Sequence, residues 1–397
     1  MEDLGSALRD NPRMIMMGGG TPARIAEVEK VFREHLRAIA ADPERAFALL
    51  GRYQEPQGDL EVRDGVAALL RAEYGWQVTA ANVAVTNGGQ SAFSILANML
   101  AGAHDGEAER VIRFPLVPEY LGYTDVGLTE KFFRASRPLV DMLPDALFKY
   151  RVDFAQFEVE EDVGALCVSR PTNPSGNVLA AEELRRLDAL AAARGVPLII
   201  DAAYGAPFPD IEFGAPDAYW SENVVLMLSV SKLGMPGLRG GLLVAREELV
   251  QAFASANTIL NLASGNAGPA LLASLLHSKE LLPLCRDTIQ PWYRARRDFA
   301  LDCLRKELGG IPCAIHQPEG AFFLWLWFRD LPGGSLKLYQ SLKEAGVLVI
   351  PGDTCFPGLS ETWDHAQQCV RMSYAVDAER LRAAAKIIGA VARASYS

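Results

Sequence analysis

The sequence predicts an α/β fold in which a mostly parallel sheet is covered by helices, joined to a smaller α+β domain. The chain of 397 residues is longer than one hydrophobic core usually supports, so two domains are expected. Short runs in its middle are apolar at every position, which is typical of strands buried on both faces. Longer amphipathic stretches separate these runs, and such alternation indicates β-α-β units.

The predicted elements follow one another in an order that supports this division. Strands are predicted at 83–86, 111–114, 165–168, 197–200, 224–228 and 241–244, and helices at 90–100 and 182–194. Beyond residue 281 the pattern changes to a long helix at 288–308, an apolar strand ending at Phe328, strands at 347–350 and 370–374, and a helix at 378–394. We therefore predict a large domain at 46–282 and a small domain made of 1–45 and 283–397.

Charge and composition narrow the class of partner. The net charge of −10 and the pI of about 5.2 argue against nucleic acid and anionic membrane surfaces, which select basic patches. The six cysteines form no CxxC pair and the five histidines lack zinc-ligand spacing, so no metal site or disulfide is expected. No transmembrane stretch and no signal-peptide pattern is evident, so a cytoplasmic location is expected.

A lysine follows the fifth predicted strand, in the segment Ser229-Val230-Ser231-Lys232, and Arg239 follows in a glycine-rich turn. In parallel sheets, ligands bind beyond the carboxyl ends of the strands. An amine placed there can form an imine with an aldehyde cofactor, and the hydroxyls and Arg239 offer hydrogen bonds to a phosphate. A surface lysine beside a glycine-rich turn is the alternative at this point.

An aspartate follows the fourth predicted strand, at the same edge of the sheet. A carboxylate at Asp201 that faced a pyridine nitrogen would keep it protonated and would make the ring an electron sink. The hydroxyl of Tyr204, three residues on, could donate to a phenolate oxygen of that ring. The alternative is that Asp201 caps a following helix.

Two further loops follow predicted strands. Asn173-Pro174 marks a turn, and the Asn173 amide could reach the oxygen of a cofactor. Gly88, Gly89 and Gln90 lie between a strand and a helix, where exposed N–H groups bind phosphate. Each loop is weak evidence alone, because the first is better explained as a structural turn and the second lacks the Walker and dinucleotide patterns.

Eight motifs occur in one order along the chain. They are Tyr53 with Pro56-Gln57-Gly58, Asn87-Gly88-Gly89-Gln90, Pro118-Glu119-Tyr120, Asn173-Pro174-Ser175-Gly176, Asp201-Ala202-Ala203-Tyr204, Ser229-Val230-Ser231-Lys232, Arg239 and Val370-Arg371-Met372. Together they resemble the fold-type-I enzymes that depend on pyridoxal 5′-phosphate (PLP), in the aspartate aminotransferase group of the class I and II aminotransferases. The resemblance covers nearly the whole chain and implies a seven-stranded sheet in the large domain. Segments 17–23, 169–174, 203–209, 319–328 and 349–352 are most similar to the valine–pyruvate aminotransferases.

The resemblance implies roles for the residues around the PLP ring. Lys232 would hold the cofactor as an imine, and Asp201 would pair with the ring nitrogen. Tyr204 and Asn173 would bond the phenolic oxygen, and Tyr120 would stack on the ring. Lys232, Asp201 and Tyr204 would form the catalytic group.

The resemblance also implies how phosphate and substrate are held. The phosphate would be bound by Gly88, Gly89, Gln90, Ser229, Ser231 and Arg239. Tyr53 would reach the phosphate of a neighbouring subunit, because this group usually builds its site across a dimer interface. Arg371 would bind the substrate α-carboxylate, with Gly20 and Asn173 beside it. Arg239 departs from the pattern, since it lies seven residues after Lys232 where many relatives have eight.

The implied reaction is a two-stage exchange of an amino group, with ping-pong kinetics, in which Lys232 moves the Cα proton. No second arginine stands in a recognisable place for a dicarboxylate. Valine, alanine and 2-aminobutyrate are therefore expected, with a 2-oxo acid such as pyruvate as acceptor. The aromatic run at 322–327 either walls an apolar pocket or packs in the core. The alternative function is a PLP enzyme that catalyses elimination, replacement, decarboxylation, racemisation or carbon–carbon bond formation.

Overall fold

The strands in the described part of the chain form three sheets. The computed structural model describes residues 11, 13–104, 106, 108–214 and 218–397. In chain order the strands are β1 (Ile15–Met16), β2 (Val83–Thr86), β3 (Val111–Phe114), β4 (Phe133–Ala135), β5 (Leu139–Leu143), β6 (Leu147–Arg151), β7 (Val163–Ser169), β8 (Leu198–Asp201), β9 (Val224–Ser229), β10 (Gly241–Val244), β11 (Cys313–His316), β12 (Phe323–Phe328), β13 (Val347–Leu348), β14 (Ile350–Pro351) and β15 (Cys369–Ser373).

Helices alternate with these strands over much of the chain. They are α1 (Ala26–Ala41), α2 (Pro43–Gly51), α3 (Leu60–Tyr74), α4 (Gly89–Leu100), α5 (Ala181–Ala193), α6 (Glu247–Asn261), α7 (Ala267–His277), α8 (Gln290–Leu308), α9 (Gly334–Glu344) and α10 (Ala378–Ser395). A short helical turn at Leu281–Pro283 and a π turn at Leu284–Ile289 lead into α8.

None of the helices in the described ranges is both long and apolar enough to cross a membrane. The prediction that the chain has no signal peptide rests mainly on residues 1–10. These lie outside the described residues, so it stays a prediction. The cytoplasmic location stays a prediction. All six cysteines are free thiols.

The central sheet has seven strands in the order β2-β10-β9-β8-β7-β3-β4. Every neighbouring pair is parallel except the two pairs that β10 makes, with β2 and with β9. Alternate strand residues enter two different apolar clusters, for example Val83 and Val85 in one and Ala84 in the other. Both faces of the sheet are therefore buried, which explains the continuously apolar runs. The predicted mostly parallel seven-stranded sheet is confirmed.

The register of the central sheet brings chemically active residues to one edge. Ser169 at the end of β7 pairs with Asp201 at the end of β8. Ser229 at the end of β9 pairs with Gly241, which also pairs with Thr86 at the end of β2. The loops after β2, β7, β8 and β9 therefore leave the sheet side by side.

A second sheet has six strands in the order β14-β15-β12-β11-β6-β5. Its last two strands form a hairpin, and β6 pairs parallel with β11. The sequence did not predict this hairpin, which lies within the range assigned to the large domain yet pairs with C-terminal strands. The domain boundaries at 46 and 282 stay a prediction.

The N-terminal segment joins the C-terminal part of the chain. β1 pairs parallel with β13, and the N–H of Ser373 in β15 donates to the carbonyl of Met17 at 2.6 Å. The glycines that follow Met17 then pass over the edge of the central sheet that carries the polar residues.

Candidate active site

A cleft of about 680 Å³ opens at the carboxyl ends of the parallel strands. Its volume lies within the roughly 300–1,000 Å³ usual for ligand sites. Most of the residues predicted for the site line it together: Gly20, Gly89, Gln90, Tyr120, Asn173, Asp201, Tyr204, Ser229, Ser231, Lys232, Arg239 and Arg371. The structure thus brings residues from across the chain into one cleft.

Lys232 lies in the 3₁₀ turn Val230–Leu233 that directly follows β9. Its Nζ donates to the carbonyl of Gly20 at 2.8 Å and lies 5.3 Å from the ring centre of Tyr204. Burial, followed by the positive charge of Arg371, lowers the pKa of Lys232 to about 8. A surface lysine would not show this burial, so the alternative interpretation of this residue is wrong.

Asp201 is the last residue of β8, and it caps no helix because turns follow it. Its Oδ1 accepts the N–H of Ala203 at 2.9 Å, and its Oδ2 accepts the hydroxyl of Tyr123. Burial raises the pKa of Asp201, while the hydrogen bond from Tyr123 acts in the opposite direction. The carboxylate is therefore fixed and faces the cleft.

The sequence interpretation did not include Tyr123. This tyrosine ends the short 3₁₀ turn Leu121–Tyr123, and its ring stacks on Phe93 with centroids 3.7 Å apart. The only local signal is its position three residues after Tyr120. Its partner Asp201 is 78 residues away, so the contact depends on the strand register.

Arg371 lies in β15 and is almost fully buried, with 3% exposure. Its Nη1 donates to the amide oxygen of Asn173 at 2.6 Å, and its Nη2 donates to the carbonyl of Gly18 at 2.7 Å. The ring of Phe323 lies 4.4 Å from the guanidinium carbon. These contacts fix the plane of the guanidinium, which keeps further N–H groups for a carboxylate.

Gly88 and Arg239 meet at the start of α4. Gly88 has φ of 92°, and a β-carbon added there would lie 2.6 Å from Nη2 of Arg239. Arg239 also donates from Nη1 to the carbonyl of Pro236 at 3.2 Å. The shorter spacing after Lys232 therefore still places Arg239 in the cleft. A guanidinium beside a helix N-terminus suits a phosphate.

Gln90 and two aromatic side chains that the sequence predicted for the site also line the cleft. The Gln90 amide donates to the carbonyl of Gly122 at 2.6 Å, which leaves the backbone of this residue for a phosphate. Tyr120 lies in the cleft, edge-on to Tyr123 at 5.2 Å. Tyr204 is buried, edge-on to Phe322 at 5.1 Å.

Glu119 is a buried carboxyl group beside the cleft that the sequence interpretation did not assign. Its Oε1 accepts the N–H of Ser169 at 2.8 Å, and its Oε2 accepts the hydroxyl of the same serine at 2.5 Å. Burial raises the pKa of Glu119 to about 8.

Three sequence expectations concern residues that do not line the cleft. Gly88 does not line the cleft itself, but it lies next to Arg239, whose side chain does. Tyr53 is 82% exposed and does not line the cleft of its own chain. Phe322, Phe323 and Trp325 are fully buried core residues, so core packing, not a pocket wall, is the role of the aromatic run. No group of three or more metal-binding side chains is present in the described ranges.

The sheet order and the lysine at the carboxyl ends of its strands define the class of the protein: it is a fold-type-I transferase. The family model described as "Aminotransferase class I and II" matches residues 24–388. The chain belongs to the class I and II aminotransferase family, whose members depend on PLP, and it is an enzyme.

Similar proteins narrow the family. Over 389 residues the chain is 46% identical to the valine–pyruvate aminotransferase of Escherichia coli. The aligned region covers 98% of this chain and 93% of that protein. It superposes on the crystal structure of valine–pyruvate aminotransferase from Salmonella typhimurium LT2 with a TM-score of 0.92 at 41% identity, covering 100% and 99% of the two chains. A putative amino-acid aminotransferase from Psychrobacter arcticum gives a TM-score of 0.97 at 40% identity, covering 100% and 95%.

Proposed function

We propose that this enzyme uses PLP to exchange an amino group between a small aliphatic amino acid, such as valine, alanine or 2-aminobutyrate, and a 2-oxo acid such as pyruvate. The observation that carries the proposal is the placement of Lys232, half-buried in the cleft with Asp201 and Arg371 close enough to shift its pKa. The names of the two valine–pyruvate aminotransferases support valine and pyruvate among these substrates.

The residues of the cleft fit PLP. Lys232 offers an amine with a lowered pKa, and Asp201 offers a fixed carboxylate for a ring nitrogen. A cationic N–H of the ring would compensate for the burial that raises the pKa of Asp201. Arg239 and the N-terminus of α4, beginning at Gly89, would hold the phosphate.

When bound, PLP supplies an aldehyde carbon that combines with amines and a ring that accepts electrons. Arg371 would hold the α-carboxylate in two hydrogen bonds, which orients the Cα–H bond. Lys232, with its pKa lowered to about 8, is neutral in an appreciable fraction near neutral pH, so it would take the proton from Cα and would deliver it to the carbon that carried the aldehyde of PLP. Tyr204 and Asn173 would hold the phenolic oxygen.

We infer that two copies of the chain share their active sites. Exposed apolar side chains lie at 47–53 and at 259–262. Asn266, four residues after the second run, donates its amide to the carbonyls of Ala48 at 3.0 Å and Arg52 at 2.7 Å in the first. These side chains are Phe47, Leu50, Tyr53, Ile259, Leu260 and Leu262, with exposures of 57%, 85%, 82%, 85%, 68% and 59%. An apolar patch of this kind favours burial against a second copy. Tyr53 lies in this patch, and the resemblance implies that it reaches the partner's phosphate.

A test of the dimer uses sedimentation equilibrium of the PLP-loaded protein. Leu50→Glu is expected to shift the dimer to monomers, because it buries a charge in the interface. Leu128→Glu, at an 86% exposed leucine outside the patch, is the control and should stay dimeric. A wild-type protein that sediments as a monomer at all concentrations would overturn the shared-site proposal.

The test of the function is a half-reaction screen of the PLP-loaded protein against single amino acids. Valine, alanine and 2-aminobutyrate should each convert bound PLP to pyridoxamine 5′-phosphate and release the matching 2-oxo acid, and pyruvate should reverse the change. Aspartate and phenylalanine should react far more slowly. Conversion by aspartate but not by valine or alanine would refute the substrate assignment. Ammonia or carbon dioxide in place of pyridoxamine 5′-phosphate would favour another PLP chemistry.

A further inference from the structure

An apolar side chain, that of Ile350, lies beside Arg371 in the wall of the cleft. Ile350 in β14 pairs directly with Arg371 in β15, in an antiparallel ladder. Residues directly opposite each other project from the same face, with β-carbons about 4.5–5.5 Å apart. Ile350 therefore stands beside the arginine that would hold the substrate carboxylate, and it lines the cleft.

Met16 reaches the same region from the N-terminal segment. The N–H of Met17, the next residue, donates to the carbonyl of Leu348 at 2.8 Å, two residues before Ile350. A β-carbon added to Gly19 would lie 3.5 Å from Cγ and 4.0 Å from Sδ of Met16. The thioether of Met16 thus occupies the space next to Gly19, where a larger residue would place its own side chain.

The part of the cleft beside Met16 and Ile350 is apolar, whereas the charged side chains of the cleft serve the cofactor and the α-carboxylate. Among the described residues that line the cleft, the charged side chains are Asp201, Lys232, Arg239 and Arg371. Each of them already has a role toward cofactor or α-carboxylate in the proposed function. A second carboxylate on the substrate would therefore meet no further cation from this chain beside Met16 and Ile350.

We propose that Met16 and Ile350 form the subsite for the substrate side chain and set the upper limit on its length. This inference rests on the proposed function. With the α-carboxylate on Arg371 and the α-amine at Lys232, the side chain is directed to the remaining apolar wall. Ile350 is fixed in a strand, whereas the unbranched thioether of Met16 fills the space that short chains leave. The substrate class is small, uncharged and aliphatic.

The test compares the kcat/KM of leucine with that of alanine in the PLP-loaded enzyme. Met16→Ala removes the side chain beyond Cβ, so it opens space for longer substrates. A missing or added methylene in an apolar pocket changes kcat/KM roughly 10–200-fold, so the leucine-to-alanine ratio should rise at least about tenfold. Met142→Ala is the matched control, because Met142 is 52% exposed on β5 and does not line the cleft. This control should leave the ratio unchanged.

A binding series gives a second measurement that does not depend on turnover. Straight-chain carboxylates from acetate to hexanoate should bind to Arg371, and calorimetry would give their Kd values. Wild-type protein should lose affinity beyond a certain chain length, and Met16→Ala should move that limit by two or more carbons. Ile350→Val, a smaller change, should move it by about one carbon.

The outcomes separate the inference from the function. A wild-type enzyme that converts neither valine nor alanine defeats the proposed function. A wild-type enzyme that converts both, while Met16→Ala and Ile350→Val change neither the leucine ratio nor the chain-length limit, defeats the subsite alone. If Met16→Ala does not fold, Met16→Val and Ile350→Val decide the question by the same two measurements.

Discussion

The hydroxyl of Tyr123 supports the carboxylate that we assign to the ring nitrogen of PLP. It donates to Oδ2 of Asp201, while Oδ1 of that carboxylate accepts the N–H of Ala203. Tyr123→Phe removes this hydroxyl alone, since the ring keeps its stacking on Phe93 at 3.7 Å. The pKa of Asp201, already raised by burial, should then rise further.

The size of the effect follows from the kind of hydrogen bond. A hydrogen bond to a charged group contributes about 1.5–3 kcal/mol. Since about 1.4 kcal/mol is a factor of ten in Kd, and the bond also forms without PLP, Tyr123→Phe should weaken PLP binding by at most about 150-fold. The loss should grow as the pH falls, because the carboxyl of the variant is then protonated in a larger fraction of molecules. Fluorescence titration of the apo-protein with PLP measures this.

A buried tyrosine outside the cleft supplies the control. Tyr374 donates to the carbonyl of Ala321 at 2.7 Å and does not line the cleft. Tyr374→Phe should lower the free energy of unfolding by about 0.5–1.5 kcal/mol while PLP affinity stays unchanged. If Tyr123→Phe binds PLP within about threefold of the wild type at every pH, the reasoning about Asp201 is refuted.

Three further predictions concern the cofactor site and its surroundings. Gly88→Ala should weaken PLP binding in the same titration, because its β-carbon would lie 2.6 Å from Nη2 of Arg239 and the φ of this residue is 92°. A β-carbon at Gly89 would have no atom within 4 Å, so Gly89→Ala should bind PLP far more tightly than Gly88→Ala, and equal affinities would contradict this. The rate of PLP uptake by apo-protein should rise with pH and level off above about 8, since only neutral Lys232 attacks the aldehyde. If the rate measured by stopped-flow absorbance still rises steeply at higher pH, the pKa of Lys232 is not lowered. Burial raises the pKa of Glu119 from 4.5 to about 8, so this group stabilises the fold fully below about pH 4.5 and loses that contribution as the pH rises through about 8. Urea unfolding should therefore show Glu119→Gln gaining stability relative to wild type across that pH window, and a constant difference in the free energy of unfolding would refute this.

The sequence predicted well those site residues that directly follow buried strands. Lys232, Asp201 and Asn173 are polar groups at the ends of continuously apolar runs, and the parallel sheet necessarily brings such ends to one edge. The assignment of Arg371 needed the resemblance, because it lies inside a strand of the second sheet. Its neighbours are set by cross-strand pairing that no local pattern shows.

The elements that were missed depend on long-range pairing. The hairpin of β5 and β6 is partly exposed, so it lacks the apolar run by which the other strands were found. It turns at Asp145 and Ala146, both with positive φ, and its partner β11 is more than 150 residues away. Tyr123 and Met16 likewise contact groups that are distant in sequence or separated by a turn. Their roles follow from the register and not from spacing.

The central claim is that Lys232 holds PLP. The most direct measurement is borohydride reduction of the PLP-loaded protein, followed by proteolysis and mass spectrometry of the peptides. We expect one pyridoxyl group per chain, on Lys232, and none in Lys232→Ala. A label on another lysine, or a wild-type protein that takes up no PLP at all, would contradict it.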